Sequence, residues 1–139
     1  MNIERAIAVA LEAHEGQLDK GGHPYILHPL AVMNRVKTMD EKIVAVLHDT
    51  VEDSDVTFEQ LTEYGFSAAI VAAVRALTRH AAESYDEFVD RAKADPIARN
   101  VKIADIQENM DLSRIGDPAP ADIDRLGKYR RALERLERG

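Results

Sequence analysis

Hydrophobic residues recur at helical spacing almost from end to end of this chain. Over residues 2–16, Ile3, Ala6, Ile7, Ala10 and Leu11 share one face, which predicts a first helix closing near Gly16. Asp19-Lys20-Gly21-Gly22-His23-Pro24 predicts a turn, because paired glycines and a proline both oppose helix continuation. A second helix is expected from His28-Pro29 through Val32, Met33 and Val36, with the proline in its first turn. A third follows Asp40 and carries Ile43, Val44, Val46, Leu47 and Val51. Thr57 with Gln60 and Ser84 with Glu87 have capping-box form, and Asp95-Pro96 reads as a cap followed by an N1 proline. They predict helices near 57–64, 67–79, 84–94 and 96–112. Gly116-Asp117-Pro118-Ala119-Pro120 interrupts the pattern before a last helix with Leu126, Leu133 and Leu136. No alternation of apolar and polar residues is long enough for a sheet, so the expected class is all-α.

Composition narrows the chemistry. A chain of 139 residues, 45% hydrophobic, can bury one core, and a single domain over 1–139 is expected. It contains no cysteine, which excludes disulfide scaffolds, thiol catalysis and thiolate metal sites, and leaves His, Asp and Glu as metal ligands. The start is too polar for a signal segment and far short of a membrane span, so a soluble, cytoplasmic protein without membrane contact is expected. A formal charge of −7 weighs against nucleic-acid polymers, whose backbone demands clustered Lys and Arg. A small anionic substrate stays open, given a metal or a few well-placed bases in one cleft.

The segment His48-Asp49-Thr50-Val51-Glu52-Asp53 ends a strongly apolar helix, where four polar side chains are costly to bury unless something pairs or coordinates them. At helical spacing Glu52 falls beside His48 and Asp53 beside Asp49, giving two candidate ligands and two carboxylates able to orient or deprotonate water. Lys102, Asp105 and Asn109 repeat that spacing on a later helix, and His28 opens another. Each has a plain structural alternative. His28 could be a core or cap residue, Asp105 the partner of Lys102, and the acidic helix end simply solvated. His14 reads as a structural hydrogen bonder, and His23 and His80 as exposed. Arg75, Arg79 and Arg114 could reach an anion but could equally be solvated.

Three motifs in order, Pro-Tyr-Ile-Leu-His-Pro-Leu (24–30), Leu-His-Asp-Thr-Val-Glu-Asp (47–53) and Lys-Ile-Ala-Asp with Asn-Met following (102–110), resemble the hydrolase domain of the RelA/SpoT alarmone enzymes. The likeness is greatest to the small stand-alone alarmone hydrolases of the HD superfamily. It implies an HD-type helical bundle, a manganese ion or another divalent metal, and removal of the 3′-pyrophosphate of guanosine tetra- or pentaphosphate, converting ppGpp to GDP and pyrophosphate. A chain of this length has no room for the synthetase domain of the long enzymes, so degradation alone is expected. Position by position, His28, His48, Asp49 and Asp105 match the metal ligands, and Glu52 and Asp53 match the acids that position the attacking water. Lys20 and Asn109, and Arg125 with Tyr129 on the last helix, match substrate contacts. Asp19 departs from the pattern, standing where the family usually has an arginine that packs on the guanine ring. It opens two alternatives, a phosphohydrolase for another nucleotide and a silent nucleotide-binding module. No oligomeric state follows from the motifs.

Overall fold

A computed structural model describes residues 2–111 and 119–138 of the chain. Nine helices follow one another in that part: α1 (Ile3–Ala13), α2 (Leu27–Met33), α3 (Met39–Leu47), α4 (Thr50–Asp53), α5 (Phe58–Glu63), α6 (Ala68–Ala76), α7 (Tyr85–Lys93), α8 (Pro96–Asn109) and α9 (Pro120–Glu137). The all-α expectation holds, and among the described residues no helix is long and apolar enough to cross a membrane. Residues 112–118, which include Arg114 and most of the expected Gly-Pro break, lie outside the described residues.

Most of the expected starts hold. Thr57 with Gln60 and Ser84 with Glu87 form capping boxes, and Asp95 accepts from the N–H groups of Ile97 and Ala98 ahead of Pro96. The third helix begins two residues earlier than expected, at Met39. Thr38 caps it by accepting the Glu41 N–H, and the Thr38 N–H donates to the Glu41 carboxylate at 2.9 Å. Helices also end sooner than periodicity suggests, because apolar spacing continues into turns that cannot extend the backbone ladder. The first ends at Ala13, and Gly16 then takes φ +78°, a left-handed conformation open to glycine.

Helix α3 lies at the centre, packed against α1, α2, α6 and α8. Val44, Ala45, Val46 and Leu47 are all fully buried, so it is apolar on every side, as an enclosed helix must be. A smaller cluster of Val89, Ile106, Ala132 and Leu136 fastens α9 onto α7 and α8. The consequence for the site is positional: α2, α3 and α8 meet where their polar residues emerge from the core.

Candidate metal centre and adjoining cleft

The third helix was expected to run through Val51. Instead α3 ends at Leu47, His48 is its C-cap, and helix resumes at Thr50. Side chains stabilise that break. Thr50 donates its hydroxyl to the Leu47 carbonyl at 2.8 Å, and the His48 Nδ1–H donates to the Ala45 carbonyl at 2.5 Å. Satisfying these carbonyls through side chains lets the backbone turn at Asp49 inside a buried region.

With Nδ1–H engaged, the neutral His48 ring presents its Nε2 lone pair to a metal. That nitrogen is buried and has no hydrogen-bond partner. Yet the Asp49 Oδ2 stands 3.2 Å away and the Asp105 Oδ1 3.4 Å away. The His28 Nε2 lies 2.8 Å from the same Asp105 oxygen. His48, Asp105 and His28 are 3%, 6% and 7% exposed, so water does not screen this group. Two imidazole nitrogens and two carboxylates at such separations call for positive charge among them, as protons on the imidazoles or as a shared metal cation. Donors sharing one ion through bonds of ~2.1 Å sit roughly 3.0–3.4 Å apart, so the donor set fits a divalent metal. His28, His48 and Asp49 meet the distance requirement for a common ion as a trio, with Asp105 against both imidazoles.

Electrostatics agree with that demand for positive charge. Burial alone would lower the His48 pKa, but the Asp49 charge and the Asp105 carboxylate raise it well above the ordinary imidazole value. Burial would raise Asp105, but Lys102 and the two imidazoles hold it well below the usual carboxylate range. Lys102 is itself buried, bonded to the Asp105 Oδ2 at 3.2 Å, and packs over the Phe88 ring at 4.6 Å. Tyr25, an unexpected member of the site, donates its hydroxyl to the Asp49 Oδ2. Burial and the Asp49 charge both raise its pKa, so the phenol stays protonated and acts as donor.

Asp53 keeps helical spacing from Asp49, its N–H donating to the Asp49 carbonyl at 3.0 Å, and the two acids Glu52 and Asp53 reach different partners. The Glu52 carboxylate accepts the Arg79 backbone N–H at 2.6 Å, and burial raises its pKa above the ordinary value despite that bond. Asp53 turns towards the end of α1, where the Gln17 side-chain amide donates to it at 3.2 Å. Gln17 in turn accepts from His14, whose Nδ1 lies 2.9 Å away, which bears out a structural role for that histidine. His23 and His80 are exposed, as expected. Arg75 stacks on Phe58 at 4.2 Å, away from the site.

Beside the donor group opens a cleft of about 430 Å³, lined among others by Lys20, Tyr25, His28, Asn109, Arg125 and Tyr129. All four residues assigned to substrate contact therefore share one cavity. Asn109 lies 3.4 Å from the Asp105 carboxylate, and Asp122 links Arg125 at 3.2 Å to Lys20 at 3.8 Å across the cleft mouth. Asp19 also lines the cleft, but its Oδ1 accepts from the Gly21 and His23 N–H groups, both at 2.9 Å. It shapes the turn that carries Lys20, a role visible only once the turn is folded.

Sequence reasoning passed over Tyr25 and Gln17. Tyr25 precedes His28 by three residues, a spacing that could have flagged it. Nothing in the sequence signals Gln17, whose bond to Asp53 spans 36 residues.

The family profile described as "HD domain" matches residues 6–112. A protein of Aquifex aeolicus named guanosine-3′,5′-bis(diphosphate) 3′-pyrophosphohydrolase is 34% identical over 120 residues, which span 78% of this chain and 17% of that protein. A probable GTP pyrophosphokinase of Mycobacterium leprae is 34% identical over 147 residues, covering 97% of this chain and 18% of its own length. This chain thus spans less than a fifth of these relatives. In backbone it is similar to a metazoan SpoT orthologue described as hydrolysing ppGpp, with TM-score 0.80 and 22% identity over 99% of this chain and 85% of that one.

Proposed function

This chain belongs to the HD-domain family, and from that premise we propose that it is a divalent-metal-dependent phosphohydrolase that removes the 3′-pyrophosphate of guanosine 3′,5′-bis(diphosphate). What carries the proposal is the buried, unpartnered His48 Nε2, facing Asp49 and Asp105 beside His28. The names of the curated relatives support the choice of nucleotide.

His28, His48, Asp49 and Asp105 would hold the ion. Oxygen and imidazole ligands without thiolate suit manganese, the metal proposed here. The ion would supply Lewis acidity, polarising a phosphate oxygen and making water more acidic. Tyr25 fixes the Asp49 carboxylate, and Lys102 fixes that of Asp105. Glu52, with its raised pKa and its bond to the Arg79 N–H, takes the proton from the attacking water, and Asp53, held by Gln17, orients that water. Lys20, Asn109, Arg125 and Tyr129 hold the nucleotide in the cleft, and the charges of Lys20 and Arg125 offset its anionic groups. All of these side chains lie among the described residues.

The test is a manganese-supplemented assay with guanosine tetraphosphate, resolving products by ion exchange beside Glu52→Gln. Guanosine diphosphate and pyrophosphate, lost in the variant although metal remains bound, are expected. An intact substrate with metal bound would overturn the alarmone assignment. Asp19 favours a second reading, hydrolysis of another nucleotide, because no arginine is available there to stack on guanine. A nucleotide panel read for released phosphate or pyrophosphate separates the two.

A further inference from the structure

Next to the four donor residues stands a group of cations, of which this mechanism draws on Lys102 alone. Tyr85 opens α7, and its hydroxyl is buried without a hydrogen-bond partner among the described residues. The Lys128 ammonium of α9 lies 3.9 Å from the centre of the Tyr85 ring, the Arg79 guanidinium 5.8 Å and the Lys102 ammonium 5.9 Å. Three cations from three parts of the chain thus surround one aromatic ring, in a protein whose net charge is −7. Lys102 is paired with Asp105. Among the described residues, no carboxylate lies within ion-pair distance of Lys128 or of the Arg79 guanidinium, which donates instead to the Glu83 backbone carbonyl at 3.4 Å. Burial and the neighbouring charges of Arg79, Lys102 and Arg125 lower the Lys128 pKa.

Two features here are unfavourable in the isolated protein. Like charges gathered around a partly buried position repel, and a buried hydroxyl without a partner forfeits the bond it had in water. One ligand would relieve both: an anion offering several acceptor oxygens at the Tyr85 hydroxyl, between Lys128 and Arg79. The surroundings decide what it would be attached to. Lys102 bonds Asp105, and the Arg79 N–H bonds Glu52, so the cations border the site of chemistry. Lys128, Arg79 and Tyr85 do not line the cleft that carries Lys20 and Asn109.

We propose that Lys128, Arg79 and the Tyr85 hydroxyl, with the charge of Lys102 beside them, form a second anion subsite that takes the distal phosphate of the pyrophosphoryl group being cut from the nucleotide. Its role in turnover rests on the phosphohydrolase reading above. In the step it serves, the water oxygen bonds to the proximal phosphorus as the bond from that phosphorus to the ribose 3′-oxygen breaks. The 3′-oxygen takes up a proton, and pyrophosphate departs with the oxygen of the water. Holding the distal phosphate steadies the phosphorus under attack and spreads the charge of the departing pyrophosphate over three cations.

The test titrates inorganic pyrophosphate, and separately GDP, into manganese-loaded wild type, Lys128→Ala, Lys128→Arg and Tyr85→Phe by calorimetry. Lys128→Ala is expected to weaken pyrophosphate binding by about tenfold and Tyr85→Phe by about fivefold, with Lys128→Arg restoring most of the affinity. GDP affinity should move less than about twofold, which a general loss of structure would not allow. Wild-type pyrophosphate affinity in both Lys128→Ala and Tyr85→Phe would overturn the subsite, even if the wild type turns over guanosine tetraphosphate. Lys128-dependent pyrophosphate binding without such turnover would keep the subsite and remove the alarmone reading.

Discussion

The Arg79 backbone N–H donates to the Glu52 carboxylate at 2.6 Å across 27 residues of sequence, so the connection between α6 and α7 sets where that acid points. Arg91 holds the connection in shape. It donates to the Arg75 and Thr78 carbonyls at 2.8 and 2.7 Å and forks onto Glu83 at 2.8 and 2.9 Å. Arg91→Ala removes all of these bonds at once. It is expected to cost about 1–3 kcal/mol of stability and to lower kcat by about tenfold, while metal affinity stays at the wild-type value. Thermal unfolding and steady-state kinetics, with metal binding measured in parallel, check this; an unchanged kcat would sever the loop from Glu52.

Tyr25 orients the Asp49 carboxylate without occupying a ligand position of its own. Losing such an outer partner weakens metal binding by about 10–100-fold. Tyr25→Phe should show that loss by calorimetric titration of manganese and recover activity at high metal concentration. An affinity equal to wild type would mean that Asp49 is held by its neighbours alone.

A metal that binds only the folded chain adds to its stability, by about 2.7 kcal/mol at one hundred times the dissociation constant. Manganese should therefore raise the Tm of the wild type, and a chelator should reverse the rise. Asp105→Asn removes a charge that faces both His28 and His48 and should abolish most of the manganese-dependent shift. A full shift in that variant would exclude Asp105 from the ligand set.

The Arg91 fork onto Glu83 lowers the Glu83 pKa to about 2, against an ordinary value of 4.5. A carboxylate whose pKa is depressed on folding stabilises the native state above the unfolded value and loses that contribution as pH falls through the folded one. Stability should accordingly decline between about pH 4.5 and pH 2, and Glu83→Gln should flatten that part of the profile. Thermal melts over a pH series measure it, and an identical slope in the variant would refute the linkage.

Asp19 carries the turn that bears Lys20, since its carboxylate accepts two N–H bonds. Asp19→Asn keeps an acceptor and should be close to neutral, whereas Asp19→Ala should cost about 1–2 kcal/mol and weaken nucleotide binding through Lys20. Equal stability of the two variants would show that the turn forms without the side chain.

The sequence by itself determined the all-helical class and most helix starts, because apolar spacing and caps act over three or four residues. Thr57 with Gln60, Ser84 with Glu87, and Asp95 with Pro96 each specify a helix start wherever the chain then goes. The motifs also marked His28, His48, Asp49 and Asp105 as chemically unusual in apolar surroundings. What periodicity could not see was the break at His48, since side-chain bonds from His48 and Thr50 to nearby carbonyls override the helical pattern. Nor could it see convergence: His28 and Asp105 are 77 residues apart and reach 2.8 Å only because α2, α3 and α8 pack together. The roles of Tyr25, Gln17 and Lys128 are of the same kind. Each depends on a partner distant in sequence, and tertiary packing alone supplies such partners.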